Sequence, residues 1–294
     1  MIHLYGYTTD PEFRYAGHEN TEKARTYGLE LEVSTKHGVS HIDPRDLSDM
    51  LDAISEGFVY CKSDGSIPSG LEMVTHPASL RAHMSNVSWK HFCKTCIKAG
   101  FRSHDADESA GLHIHVGRAQ LGRTNEERDE VARKLTVLFR RYWPQLVKFS
   151  RRTEERLAQW APRPDIRYET SWSGAEVAQR MADVSVYVAN HNARYTAVNL
   201  TNLATIEFRI FRGSLKRDTV IAAIQLVDNL CEYAMTHTWD DIQASTWLDV
   251  ARCKPYNELD QYLANRGLMP SGVTPPTTRR VCDFGGIDGA PVMA

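Results

Sequence analysis

What this chain has little of narrows its class first. No apolar run reaches the roughly 18 residues a membrane span requires. The N-terminal MIHLYGYTTDPEFRY has neither the basic start nor the apolar core of a signal peptide. The expectation is therefore a cytoplasmic protein. Six cysteines in 294 residues are too few for a disulfide scaffold, so reduced thiols are expected. Charge of one sign is also missing: 35 Lys+Arg stand against 37 Asp+Glu, a formal net charge of -2. That gives no global drive toward nucleic acid, although Arg140-Arg141 and Arg151-Arg152 form local patches. Neither G-x-x-x-x-G-K-[ST] nor G-x-G-x-x-G occurs, which excludes a P-loop or Rossmann nucleotide site. What remains, 42% apolar and 24% charged, is the composition of a core-forming globular protein.

Hydrophobic periodicity places the elements. Tyr27-Gly-Leu-Glu-Leu-Glu-Val33 alternates with period two and reads as a strand. Asp43-Pro44 is a helix start, followed by Leu47, Met50, Leu51 and Ile54 on one face. Residues 58–62 and 70–76 read as two strands of a hairpin. A helical pattern runs from Leu80 to Gly100, with Val87, Cys93, Cys96 and Ile97 among its apolar positions. Gly111-Leu-His-Ile-His-Val-Gly117 alternates again. Thr124-Asn-Glu-Glu127 is a capping box for a long helix that Pro144 should bend or end. Residues 194–200 and 205–211 read as a further strand pair, followed by a helix over 218–237. Beyond Met269 the chain is rich in Gly, Pro and Thr and reads as a flexible tail over 269–294. The organisation expected is a lead-in over 1–26, one catalytic domain over 27–268, and that tail. Hairpins among helices make the fold class α+β.

Four of these strands share a peculiarity. Their apolar residues alternate with ionisable ones: Glu30 and Glu32, Glu72, His113 and His115, then Glu207 and Arg209. Residues two apart share a strand face, so the seven side chains collect opposite the core. Such a row is either the solvent face of an amphipathic sheet or a ligand cluster. The composition favours a cluster, because a wet face avoids like charges across strands and carries lysine among its glutamates. Four carboxylates with imidazole suit two or three hard divalent ions, Mg²⁺ or Mn²⁺ before Zn²⁺. A nucleotide would then be held through metal and arginine, with Arg209 the first candidate and Arg194 the second. Arg151 and Arg152 are weaker candidates, for which a solvated helix end is the favoured reading. The lone C-x-x-C, Cys93 and Cys96, reads as core.

Taken in order, Y-G-L-E-L-E-V at 27–33, D-G-S at 64–66 and L-E-M-V-T-H-P at 71–77 resemble the motifs of the amidoligase family. So do G-L-H-I-H-V-G at 111–117, R-Y-T-A-V-N-L at 194–200 and T-I-E-F-R-I-F-R-G at 205–213. That family belongs to the carboxylate–amine ligase superfamily, with glutamine synthetase and glutamate–cysteine ligase. The resemblance implies a glutamine synthetase-like curved antiparallel sheet, with helices packed on one face and ATP and divalent metals on the other. It implies that ATP phosphorylates a carboxylate and that an amine attacks the acyl phosphate, giving an amide, ADP and phosphate. Carried over by motif, Glu30, Glu32, His113 and Glu207 are metal ligands, with Glu72 a further ligand and a catalytic group. Arg209 and Arg194 bind the transferring phosphoryl group or the substrate carboxylate. His115 is a nucleotide contact or a support behind the ligands. Asp64 and Ser66 fall near the pocket, and Trp160, Tyr168, Trp172 and Tyr187 are either pocket lining or core. Substrates of the implied ligase would be small-molecule, peptide or protein-tail acids and amines. A guanidino-kinase-type phosphotransferase and a catalytically inactive binding module stay open as alternatives.

Overall fold

Every strand expected from alternation between residues 27 and 117 is present, and all of them join one sheet. The computed structural model describes residues 1–35, 41–65, 67, 69–104, 110–182, 184 and 194–270. In chain order the first elements are β1 (Ile2–His3), β2 (Thr26–Thr35), α1 (Pro44–Ser55), β3 (Val59–Lys62) and β4 (Gly70–Thr75). Next come β5 (Ala78–Ser79), α2 (Leu80–Ser85), α3 (Trp89–Lys98), β6 (Phe101–Arg102) and β7 (Gly111–Gly117). A helical stretch follows: α4 (Asn125–Arg141), α5 (Trp143–Ser150), α6 (Glu154–Trp160) and α7 (Gly174–Ala182). Then β8 (Val198–Asn199) and β9 (Thr205–Arg212) lead into α8 (Arg217–Thr236), α9 (Trp239–Ala244), α10 (Trp247–Ala251) and α11 (Asn257–Asn265).

Strand order is β1-β3-β4-β2-β7-β9-β8, with β5 and β6 pairing to the two ends of β2. All pairs are antiparallel except β1 with β3. A mixed sheet backed by helices makes this an α+β fold. The apolar half of each alternating strand faces the helices: Leu29, Leu31, Met73, Ile114, Ile206 and Phe208 are all buried in one continuous core. Phe208 meets Phe139 of α4 with ring centroids 5.6 Å apart.

Local signals explain the boundaries. Asp43 caps α1 by accepting from Arg45 N, and Pro44 occupies its first turn. Thr124 and Glu127 form the expected capping box on α4, and Pro144 opens α5 where α4 has ended. The single helix expected over 80–100 is instead two. Val87 N bonds back to Ala82 O and Trp89 N to Val87 O, turning the chain between α2 and α3. Met50 and Ile97, expected inward, are exposed. Of 194–200, only Val198–Asn199 is strand. Cys93 and Cys96 are buried on α3, and burial pushes the Cys93 thiol up to about 12, so both are inert core residues.

The start of β2 is clasped to the helix layer. Arg25 donates to Asp228 Oδ1 through Nε and Nη2, at 3.0 and 2.7 Å, and the Tyr27 hydroxyl donates to the same oxygen. Tyr256 and Lys254 reach the other oxygen at 2.6 and 3.3 Å. No helix among the described residues is long and apolar enough to cross a membrane. The tail beyond residue 270 lies outside the described residues, as do Ser66 and Tyr187.

Candidate active site

Strand register lays the ionisable residues out as three rows across the sheet. In one row Lys62 of β3 stands opposite Glu72 of β4, which stands opposite Glu32 of β2. In the next, Glu30 faces His113 of β7. In the third, His115 faces Glu207 of β9, which faces Asn199 of β8.

A register shift between Leu112 and Ile114 sets three residue steps on β9 against two on β7. Arg209 and Ile210 therefore oppose His113 together, which is the count of a β-bulge. The bulge breaks the expected alternation: Phe208, Ile210 and Phe211 are all buried, while Arg209 turns toward Glu207. A close approach explains one glycine. A Cβ on Gly111 would lie 3.2 Å from both Arg152 Nη2 and His113 Nε2, and Gly111 N donates to Glu32 Oε2.

Contacts among the ionisable groups are close. His113 Nδ1 is 3.3 Å from Glu30 Oε2 and 3.4 Å from Glu207 Oε1. His115 Nε2 is 3.4 Å from Glu30 Oε1 and 3.9 Å from Glu207 Oε1. Glu207 is fixed from two sides, by Asn199 Nδ2 at 2.7 Å and by Arg209 Nη1. Lys62 Nζ lies 3.3 Å from Glu72 Oε2, an oxygen that accepts no hydrogen bond among the described residues.

The electrostatics follow from burial and these neighbours. Burial opposes ionisation of Glu30, but His115 and His113 outweigh it and hold its carboxyl well below the usual range. Glu207 is lowered in the same way, with Arg209 adding to the imidazoles. Burial works against a charge on His115, yet Glu30 and Glu207 raise it to about 9. Glu72 goes the other way: burial and the charge of Glu30 push it to about 8 despite Lys62.

Three groups of side chains bring one ligand atom each to within 4.8 Å of one another: Glu30–His115–Glu207, Glu30–Glu72–His113 and Glu32–Asp64–Glu72. The donors are mostly carboxylate oxygens, the set hard divalent ions take. Glu72, a member of two of the groups, also carries a buried oxygen with no hydrogen-bond partner among the described residues, and these residues fit Mg²⁺ or Mn²⁺.

A cavity of about 320 Å³ opens on this face. Glu30, Glu32, Glu72, Asp64 and His113 line it together with Arg209, Arg194, Arg152 and Arg156. Thus all eight sequence candidates gather on the same sheet face or beside its cavity. His115 and Glu207 do not line the cavity; they brace Glu30 and His113. Arg194 donates from Nη2 to the Tyr5 hydroxyl at 2.7 Å and stacks 4.8 Å from the Tyr195 ring, which also has Arg209 5.7 Å away.

Several contributors escape the sequence reading. Arg152, expected at a solvated helix end, is buried; its Nη1 donates to Arg209 O at 3.0 Å, and burial pulls its pKa to about 10. Arg151 adopts a left-handed conformation at the end of α5, and this turn swings the following arginine inward. Lys62 belongs to an alternating strand, so its parity is a usable signal; Asn199 lies on a two-residue strand that offers none. Tyr5 lines the cavity, and nothing local in its sequence marks it; Trp160, read as either pocket lining or core, lines it too. Tyr168 instead bonds Arg141 and Gln243, and Trp172 stacks under Arg180 at 4.1 Å, away from the cavity.

No family profile matches the chain, and no curated protein matches it. Among solved structures it is similar to the crystal structure of the complex between the prokaryotic ubiquitin-like protein Pup and its ligase PafA. That similarity has 9% sequence identity and a TM-score of 0.33, and covers 76% of this chain and 50% of that one. The chain thus spans half the length of the structure it matches, and a likeness of this degree transfers no activity.

Proposed function

We propose that the chain is an ATP-dependent carboxylate–amine ligase on a glutamine synthetase-like scaffold. One observation carries this reading: one cavity is lined by both a carboxylate–imidazole cluster and four arginines. Phosphoryl transfer needs alignment and charge stabilisation rather than a protein nucleophile, and such a cavity offers both.

Glu30, Glu32, Glu72, His113 and Glu207 would hold the Mg²⁺ or Mn²⁺ ions. When bound, these ions supply charge neutralisation for the phosphates of ATP. His115 keeps Glu30 and Glu207 ionised and in place. Arg209 is anchored through Nη1 on Glu207, and its Nε has no hydrogen-bond partner among the described residues. That fixed guanidinium would orient the transferring phosphoryl group or the acid that receives it. Arg194, released from Tyr5, would take the second anionic group. The amine must be neutral to attack the acyl phosphate, so its proton would pass to a carboxylate lining the cavity.

The test is a pooled screen of amino acids, short peptides and peptide amines with Mg²⁺–ATP, read by ADP release and mass spectrometry. ADP, phosphate and a new amide in equal amounts support the reading. ADP with a phosphorylated product and no free phosphate would make the protein a phosphotransferase. No turnover with any acid–amine pair would count against a ligase.

A further inference from the structure

Among the described residues, Lys62 is the one lysine paired with the carboxylate cluster. The alternation that buries Val59 and Cys61 in the core turns Lys62 to the opposite face, directly across from Glu72. Its Nζ lies 3.3 Å from Glu72 Oε2 and 3.9 Å from Glu30 Oε1, and the Tyr5 ring covers it at 6.0 Å. Lys62 is itself buried.

The two carboxylates it touches have a special place in the cluster. Glu30 is shared by the first and second cation groups, and Glu72 by the second and third. The middle group, Glu30–Glu72–His113, is thus the one with two of its three members already facing an ammonium. Each outer group shares only one. A divalent ion seated in the middle would share both carboxylates with a fixed positive charge, in a buried place where like charges are poorly screened. The outer positions, on Glu30–His115–Glu207 and Glu32–Asp64–Glu72, escape most of that repulsion.

We propose that the Lys62 ammonium is the resident cation of the middle group, so that the cluster takes divalent ions only at its two outer groups; this narrows the ligand set given above, with His115 and Asp64 joining the ligands and His113 bracing Glu30 and Glu207 instead. Lys62 is then a positioning residue: it does not line the cavity, and it acts by setting how many metal ions share the carboxylates and where. The inference rests on the ligase reading for the presence of metal, but it concerns a side chain that the ligand set leaves out.

The test needs neither substrate nor nucleotide. Metal-free full-length protein is titrated with Mn²⁺, and free Mn²⁺ is counted by electron paramagnetic resonance. The wild type should bind two ions. Lys62→Met, which keeps the length of the side chain and removes its charge, should bind three, or bind its first ion at least about tenfold more tightly. Lys62→Arg should keep the wild-type count. Should Lys62→Met fail to fold, Lys62→Gln carries the same test. Its melting temperature should be lower without metal and should rise more than the wild type's on adding Mn²⁺. Any wild-type count other than two, or a Met variant equal to wild type in number and affinity, overturns the proposal. A wild type that binds two ions beside an unchanged Met variant leaves the ligase reading standing. A wild type that binds no Mn²⁺ overturns both.

Discussion

Replacing Asp228 by asparagine tests how the site-bearing strand is held. Asp228 is buried on α8, and its two oxygens serve different groups. Arg25 and Tyr27 occupy Oδ1, and Tyr256 and Lys254 occupy Oδ2. Four residues, through five donor groups, therefore converge on one carboxylate. Asparagine keeps the shape but offers one acceptor and places an NH₂ against one donor pair. Removing one partner of a buried ion pair costs roughly 3–5 kcal/mol. Lys254 is partly exposed and pairs with Glu232 at 2.8 Å, and a tyrosine hydroxyl can turn to accept, so the lower end applies. The expected loss is about 3 kcal/mol. Tyr27→Phe removes one hydrogen bond and should cost about 1 kcal/mol. Urea denaturation followed by circular dichroism is the assay. The midpoint should fall with the slope unchanged, and the melting temperature should drop by about 6–12 °C. A loss below about 0.5 kcal/mol for Asp228→Asn would show that the clasp does not hold β2.

Three other expectations follow from single residues. Arg209→Lys keeps the charge and loses the fork, so amide formation should slow by about 10- to 100-fold, the worth of one charge-assisted bond, with the melting temperature nearly unchanged; a wild-type rate would remove Arg209 from the reacting group. Phe208→Ala empties a fully buried position against Phe139 and should cost about 3–5 kcal/mol in urea denaturation, a result inconsistent with a solvent-facing side chain there. His83 donates from Nε2 to Tyr27 O at 2.8 Å and accepts from Trp89 Nε1, and burial holds its pKa down to about 4. The unfolded chain therefore binds this proton first, so stability is intact above about pH 6.5 and falls by about 3 kcal/mol as pH drops to about 4; a His83→Gln variant with the same acid slope would show that another group is responsible.

Much of the site was legible because a strand has period two. Once Leu29 and Leu31 face the core, Glu30 and Glu32 must face away together, and the same parity places Glu72, His113, His115 and Glu207. Parity also fixes Lys62, but Val59–Lys62 is short and its partner strand sets its meaning only through register. The bulge at Arg209 was not legible: an extra residue on β9 is a property of the pair, visible only when β7 is beside it. Arg152 was misread because the left-handed turn at Arg151 changes its direction, and no propensity rule makes arginine announce that conformation. Tyr5 joins the cavity through β1, a two-residue strand too short for any periodicity, held parallel to β3. The break between α2 and α3 depends on backbone bonds around Val87 that its apolar side chain does not signal.

The most direct test of a metal–nucleotide site is the melting temperature of the wild type with Mn²⁺ and ATP together, compared with each alone. Ligand at about 100 times its dissociation constant stabilises the native state by about 2.7 kcal/mol. For a chain of this size that corresponds to a rise of about 5–10 °C. The site described here predicts this rise for the pair, more than the sum of the separate ligands, and its loss in Glu30→Gln, because Glu30 is shared by two of the three cation groups. An unchanged melting temperature at saturating Mn²⁺–ATP would contradict the central claim.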